Sequence, residues 1–162
     1  MNTYYFDNNA TTQVAQEVFD CMLPFFREYY GNPSSMHSFG GQVYHRIEEA
    51  RAQVASLIGA DPEEIIFTSC GTESDNTAIM SALETNPAKK HIITSKVEHP
   101  AVLNLCKHLS RKGYRVTYLS VDSRGGLDIE SLFRSLSDHS AVVSIMYANN
   151  ETGVIFPIEE IG

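Results

Sequence analysis

Basic residues are scarce in this chain: twelve Lys and Arg stand against twenty Asp and Glu, a formal charge of -8. No Lys/Arg cluster is available to neutralise successive phosphates, which excludes nucleic acid as a partner. Long apolar runs are lacking too. No stretch approaches the roughly 20 residues needed to cross a bilayer, and the opening "MNTYYFDNNATT" has neither the basic nor the apolar region of a signal peptide. A cytoplasmic protein without a membrane partner is therefore expected. Cysteines are few: Cys21, Cys70 and Cys106 are odd in number, far apart and outside any C-x-x-C spacing, so neither a disulfide framework nor a zinc site is indicated. Also missing is any G-x-G-x-x-G or Walker-type loop, which argues against a stand-alone nucleotide-binding module.

At 162 residues the chain is long enough for one domain with a real core, since chains near that size bury roughly 70% of their unfolded surface. From about residue 64 onward, β-rich runs alternate with helical patterns: "EIIFTSC", "TESDNTAIMSALE", "HIITSKV", "AVLNLCKHLSRKG", "RVTYLSV", "DIESLFRSL" and "AVVSIMYA". This alternation defines an α/β fold with a mainly parallel sheet flanked by helices. "AVVSIMYA" carries few polar residues on either face, the signature of a central strand. Pro100 suits a first helical position, Lys112 and Gly113 suit a helix end, and Gly125-Gly126 marks a turn.

Residues 1–60 read differently. An extended opening precedes a helical pattern from about Gln13 to Tyr30, which Pro24 is expected to kink or break at Leu23. After the loop "GNPSSMHSFG", a second helix from about Gly41 to Ile58 aligns Val43, Ile47, Ala50, Val54 and Leu57 or Ile58 on one stripe, with Gly59 as its stop. Two regions follow: an N-terminal arm with helices over 1–60, and an α/β region over 61–162.

In open parallel sheets the ligand crevice lies beyond the carboxyl ends of the strands. Three candidate places follow from that rule. In "FTSCGTESDN" the chain passes through Gly71 and Thr72 into a helix, and the free N–H groups there suit a phosphate, with Thr72 and Ser74 able to add hydroxyls; a tight turn with an N-cap is the plainer alternative. In "SKVEHPAV", His99 sits between strand and helix, aimed by Pro100, where an imidazole can stack on a flat cofactor and exchange a proton near neutral pH. In "AVVSIMYANN", a continued strand would send Asn149 and Asn150 to opposite faces, and alternation alone cannot say which one meets a ligand.

Read together, "YFDNNATT", "GNPSSMHSFG", "FTSCGTESDN", "VEHPAV", "VVSIMYANNETG" and "FPIEEI" resemble the N-terminal part of cysteine desulfurases, pyridoxal-phosphate enzymes of aminotransferase class V with the type I fold. "MLPFF", "GNPSSMHSFG" and "FTSCGTESD" are most similar to the nitrogen-fixation (NifS-like) branch, with the housekeeping (IscS-like) branch as the alternative. The resemblance implies pyridoxal 5'-phosphate as cofactor. Gly71 and Thr72 would hold its phosphate, His99 would stack on its ring and move protons as the catalytic residue, and Asn150 would hydrogen-bond its phenolic oxygen. Asn149 would face away and support the turn. "DNNATT" would border the same pocket, and the His37 loop would lie nearer a subunit contact.

The resemblance further implies a homodimer that takes L-cysteine to L-alanine and passes sulfur as a persulfide to an iron–sulfur scaffold protein. No metal site is implied. The lysine that fixes the cofactor, the aspartate that partners its ring nitrogen and the sulfur-accepting cysteine fall in the family beyond this sequence. Lys89, Lys90, Lys96, Lys107 and Lys112 stand in other contexts, and Cys70 is expected to be a small core residue. The chain thus reads as the cofactor-binding portion of an enzyme more than twice as long, inactive by itself. The alternatives within the class are a selenocysteine lyase, kynureninase or phosphoserine aminotransferase; outside it, a non-catalytic α/β fragment.

Overall fold

The computed structural model describes residues 3–162; the part of the expected extended opening that falls on Met1 and Asn2 lies outside them. The chain forms two compact units, Met1–Phe67 and Thr68–Gly162.

In the first unit an irregular opening leads to helix α1 (Gln16–Arg27). Of the expected kink or break at Leu23, the break does not occur: the helix runs through Pro24 to Arg27, and the bonds C-terminal to the proline are made, its carbonyl accepting from Glu28 N at 2.7 Å and Tyr29 N at 2.9 Å. Helix α2 (Ser38–Ile58) starts on His37, whose Nδ1 accepts the Gly40 N–H at 3.1 Å, and stops at Gly59, whose φ of 71° is one that an L-residue avoids. Gly40 is needed for packing rather than for its dihedrals. A Cβ there would strike the Asn32 carbonyl and come within 2.8 Å of Ser35 Cβ.

The predicted apolar stripe of α2 holds only at its start. Val43 is buried, but Leu57 and Ile58 are exposed, and Ala55 is buried in their place. A short 3-10 turn, Pro62–Glu64, follows. Arg51 then ties the exit of this unit back to α2, donating to the Ile65 carbonyl and lying 4.9 Å over the Phe67 ring.

The second unit contains α3 (Gly71–Thr85), β1 (His91–Ser95), α4 (Pro100–Arg111), β2 (Arg115–Leu119), α5 (Ile129–Ser135), β3 (Ser140–Ser144) and α6 (Ile158–Ile161). Its three strands form a parallel sheet in the order β2-β1-β3. Alternation along β1 sends Ile92 to one face and Ile93 to the other. Ile92 packs with Ile79 and Leu83 of α3 and Val102, Cys106 and Leu109 of α4, while Ile93 packs with Leu119 and Leu132 of α5. Each fully buried isoleucine contributes about 2 kcal/mol of transfer free energy, so β1 is the energetic centre of this unit.

Two expectations about strands are corrected here. "EIIFTSC" is extended at Ile65 but pairs with no strand among the described residues, and Ile66 is 73% exposed. "AVVSIMYA" is not central. Among the described residues β3 is an outer strand of the three and ends at Ser144, and the fully buried middle strand is β1. Low polarity does not report sheet position: every residue of β3 is only half-buried, and sheet order is a matter of crossover connections. The other punctuation stands as read: Pro100 opens α4, Lys112 closes it with Gly113 at φ 91°, and Gly125 turns at φ 85°.

Candidate functional site

The order β2-β1-β3 contains a reversal. From β1 the chain crosses through α4 to one side of the strand, and it then returns through α5 to the other. The adjacent strands β1 and β3 therefore flank a topological switch point, and segments leaving their carboxyl ends diverge around a crevice. His99 lies four residues past the last residue of β1, and Asn149 and Asn150 lie five and six past the last of β3.

The segment after β1 is fixed by its own side chains. Ser95 is buried at the strand end; its hydroxyl donates to Glu98 Oε1 at 2.7 Å and accepts the Val97 N–H at 3.3 Å. His99 is the N-cap of α4, with Nδ1 accepting the Ala101 N–H at 3.2 Å. An acceptor Nδ1 carries no proton, so in the neutral ring the proton sits on Nε2. The imidazole is exposed.

After β3 the backbone does not continue as a strand, so the expected division of Asn149 and Asn150 by alternation does not apply. It makes a tight turn instead, closed by the Ala148–Ile155 bridge, an Asn149 N–H to Val154 carbonyl bond of 2.8 Å and Gly153 at φ 73°. Asn149 supports that turn. It is buried, and its Oδ1 accepts from Glu151 N at 3.0 Å, Thr152 N at 2.9 Å and Thr152 Oγ1 at 3.1 Å. Asn150 is exposed, and its Nδ2 donates to Glu151 Oε1 at 3.1 Å.

The two segments are also bonded to each other. Glu98 Oε1 accepts the Met146 N–H at 3.0 Å, and Asn149 Nδ2 donates to the Val97 carbonyl at 3.1 Å. Glu98 is only 6% exposed, and burial holds its carboxyl above the ordinary value, against the lowering effect of the Ser95 and Met146 hydrogen bonds. Sequence reasoning gave Glu98 no role. The available signal was a lone acid between an apolar strand and a helix-opening proline, a place where a charge must find partners.

Gly71 and Thr72 are the first residues of α3, with Cys70 as N-cap. A Cβ built on Gly71 meets nothing within 4 Å, so the start of the helix faces open space. Of the hydroxyls expected to add donors, Thr72 is exposed, whereas Ser74 is already engaged with Thr68 Oγ1 at 2.6 Å. Glu73 folds back to accept Ser69 N at 2.7 Å and Ser69 Oγ at 2.6 Å, which hold its carboxyl below the ordinary range. Cys70 is not a core residue: it is exposed. The backbone of Glu73, then the Ser69 hydroxyl and the backbone of Thr72, hold its thiol below the ordinary value. A helix N-terminus forces its cap outward, which is why burial did not follow from residue type.

One turn further on, Asp75 lines a crevice of about 290 Å³ together with Ala78, Ile79 and Val142–Ile145 of β3 and its exit. The Asp75 charge also contributes to the raised carboxyl of Glu98. The opening turns of α3 thus lie along the same end of β3 as the His99 and Asn149 segments. His37 and the Asp7–Thr12 stretch belong to the first unit.

The switch point of such a parallel α/β sheet is where these folds place a ligand, and residues 4–162 match the family model of aminotransferase class-V. The chain belongs to that family. Within it the similarity is to cysteine desulfurases: 60% identity over 162 residues to one from Nostoc sp., covering 100% of this chain and 40% of that protein. A cysteine desulfurase NifS from Azotobacter vinelandii is 57% identical over 161 residues, 99% of this chain and 40% of its own length. Among solved structures, a NifS-like protein superposes with a TM-score of 0.92 at 47% identity, covering 97% of this chain and 43% of that one. SspA in complex with cysteine superposes at 0.89 with 35% identity, covering 98% and 46%. The chain therefore spans about 40% of the length of the curated relatives it matches. The resemblance drawn from the motifs and the partial α/β fold expected from them are both shown. Among the described residues no helix is long and apolar enough to cross a membrane.

Proposed function

We propose that this chain is the cofactor-binding portion of a pyridoxal-phosphate-dependent cysteine desulfurase that takes L-cysteine to L-alanine and passes the sulfur on as a persulfide for iron–sulfur cluster assembly. The complete enzyme is a cytoplasmic homodimer in this reading, with an iron–sulfur scaffold protein as acceptor. The observation that supports the proposal is the bonding of the post-β1 and post-β3 segments across the switch point, which ties together the segments that carry His99 and Asn150.

The residues present fit the cofactor. A dianionic phosphate needs backbone N–H donors at a helix start, and Gly71 opens a 15-residue helix with no side chain to crowd it. Gly71 and Thr72 would hold the phosphate, the exposed face of His99 would stack on the ring, and the Asn150 amide would donate to the phenolic oxygen. When bound, the group supplies an electron sink for charge generated at the substrate's α-carbon. His99 offers a proton at Nε2, since Nδ1 is occupied by the Ala101 N–H. Taking up a proton at that same nitrogen requires the ring first to lose it, or the Nδ1 cap to open.

The test is pyridoxal phosphate retention and L-cysteine-dependent sulfide release by the complete enzyme, in parallel for Thr72→Ala, His99→Ala and Asn150→Ala. Loss of retention in the first and of turnover in the others is expected. Wild-type behaviour in all three would overturn the assignment.

A further inference from the structure

His99 and Asn150 each follow directly on a buried residue that reaches across to the other segment. Glu98, immediately before His99, takes the N–H of Met146 beyond β3. Asn149, immediately before Asn150, gives its Nδ2 to the carbonyl of Val97 beyond β1. The exchange is reciprocal: the acid of one segment holds the backbone of the other, and the amide of the second holds the backbone of the first.

Each anchor is also secured at home. Ser95 Oγ donates to Glu98 Oε1, and the three bonds to Asn149 Oδ1 shape the turn in which Asn150 sits. Both residues are nearly inaccessible, at 6% and 7% exposure, so water does not replace a lost partner at low cost. His99 is held on its other side by Pro100 and by its cap to Ala101. Neither Glu98 nor Asn149 is needed to build the sheet, whose ladder ends at Ser95 and Ser144. The Glu98–Met146 and Asn149–Val97 bonds fix one exit segment relative to the other.

We propose that Glu98 and Asn149 are positioning residues that form a reciprocal clasp, setting His99 and Asn150 at a fixed spacing across the switch point. The clasp is a property of the chain itself; its consequence for turnover rests on the cofactor-site reading above. Glu98 acts as a hydrogen-bond acceptor through Oε1, a role that a glutamine carbonyl can fill. Asn149 needs both its oxygen, for the turn, and its Nδ2, for Val97. An aspartate would keep the first and replace the second with a carboxylate oxygen facing a carbonyl.

The test compares wild type with Glu98→Ala, Glu98→Gln, Asn149→Asp and the Glu98→Ala/Asn149→Asp double variant. Site-resolved amide hydrogen exchange is measured on the cofactor-free protein, and kcat, KM and the cofactor absorbance on the complete enzyme. Glu98→Ala should speed exchange about tenfold at Met146 and also at Glu151 and Thr152, whose N–H groups bond Asn149 and not Glu98. Asn149→Asp should speed it at Ala101 while leaving Glu151 and Thr152 protected. The double variant should lose less than the product of the single effects, and Glu98→Gln should keep the wild-type pattern.

In the complete enzyme kcat should fall in Glu98→Ala with KM nearly unchanged, and Glu98→Gln should restore it. Effects confined to each variant's own segment, or a Glu98→Gln variant as loose as Glu98→Ala, would overturn the clasp. Should Glu98→Ala fail to fold, Asn149→Asp and Glu98→Gln carry the comparison. Coupled exchange in a complete protein that neither retains pyridoxal phosphate nor turns over cysteine would uphold the clasp and overturn the cofactor reading instead.

Discussion

Asn149 Nδ2 donates to the carbonyl of Val97 at 3.1 Å, joining residues 52 positions apart in the chain. Through that bond and its counterpart from Met146 N to Glu98, a histidine and an amide that are distant in sequence share one end of the sheet.

His99 has two separable duties. Its Nδ1 caps α4, and its exposed face and Nε2 are assigned to the cofactor. His99→Ala should lower turnover of the complete enzyme by about 100-fold or more, the usual worth of a positioned acid or base, while urea unfolding shows a loss of only about 1 kcal/mol for the cap. His99→Asn should recover the stability and leave the turnover low. Equal recovery of both would show that the ring contributes only as a cap.

The Glu98 carboxyl is held above the ordinary 4.5 by burial. Because the folded state binds the proton more tightly than the unfolded state, the contribution of this group is most favourable below the unfolded pKa. It is lost as pH rises through the folded value. Urea midpoints measured across that window should therefore fall with pH in wild type more than in Glu98→Gln, which has nothing to titrate. Parallel curves for the two proteins would contradict it.

The thiols should differ in reactivity. Cys106 is buried in the core and desolvation pushes it up to about 11, whereas Cys70 is exposed and held low by the start of α3. Iodoacetamide at neutral pH, followed by peptide mass mapping, should modify Cys70 far faster than Cys106 in the native chain. Comparable rates would mean that the core opens on the labelling timescale.

The core should be most sensitive at β1. Ile93→Ala removes a fully buried side chain and should cost about 2–5 kcal/mol in chemical denaturation, against little for Leu57→Ala, which is 84% exposed. A small effect of Ile93→Ala would show that this face of the sheet repacks.

The 162-residue chain by itself should release no sulfide from L-cysteine. Its lysines give the reason: Lys96, the one at the strand ends, is turned toward β2, where its Nζ donates to Ser120 Oγ at 3.0 Å, and not toward the β1–β3 crevice. Sulfide production by the isolated chain, measured colorimetrically, would show that a lysine from this chain serves.

Helix boundaries around Pro100, Lys112 and Gly59 were legible because they depend on neighbours in sequence: a ring that fixes φ, or a glycine that tolerates a positive one. Two of the three candidate places, those after β1 and β3, were legible as segments that follow strands, because composition alternates there. The break expected at Pro24 does not occur, since the bonds beyond the proline still form, and "EIIFTSC" was misjudged, since a strand exists only where a partner's backbone meets it.

The sequence by itself determined the α/β class, the alternation of helices and strands from β1 to β3, the family resemblance and the residues worth watching at the ends of elements, because these follow from periodicity, turn chemistry and motif. Only the tertiary structure decided that β1 is the middle of the three strands, that Cys70 faces out, and that the Asn149 amide reaches across to Val97. It also revealed Glu98. A carboxylate acquires its meaning from the amide that approaches it, and that amide comes from Met146, 48 residues away, brought there by strand order and not by any local preference of the chain.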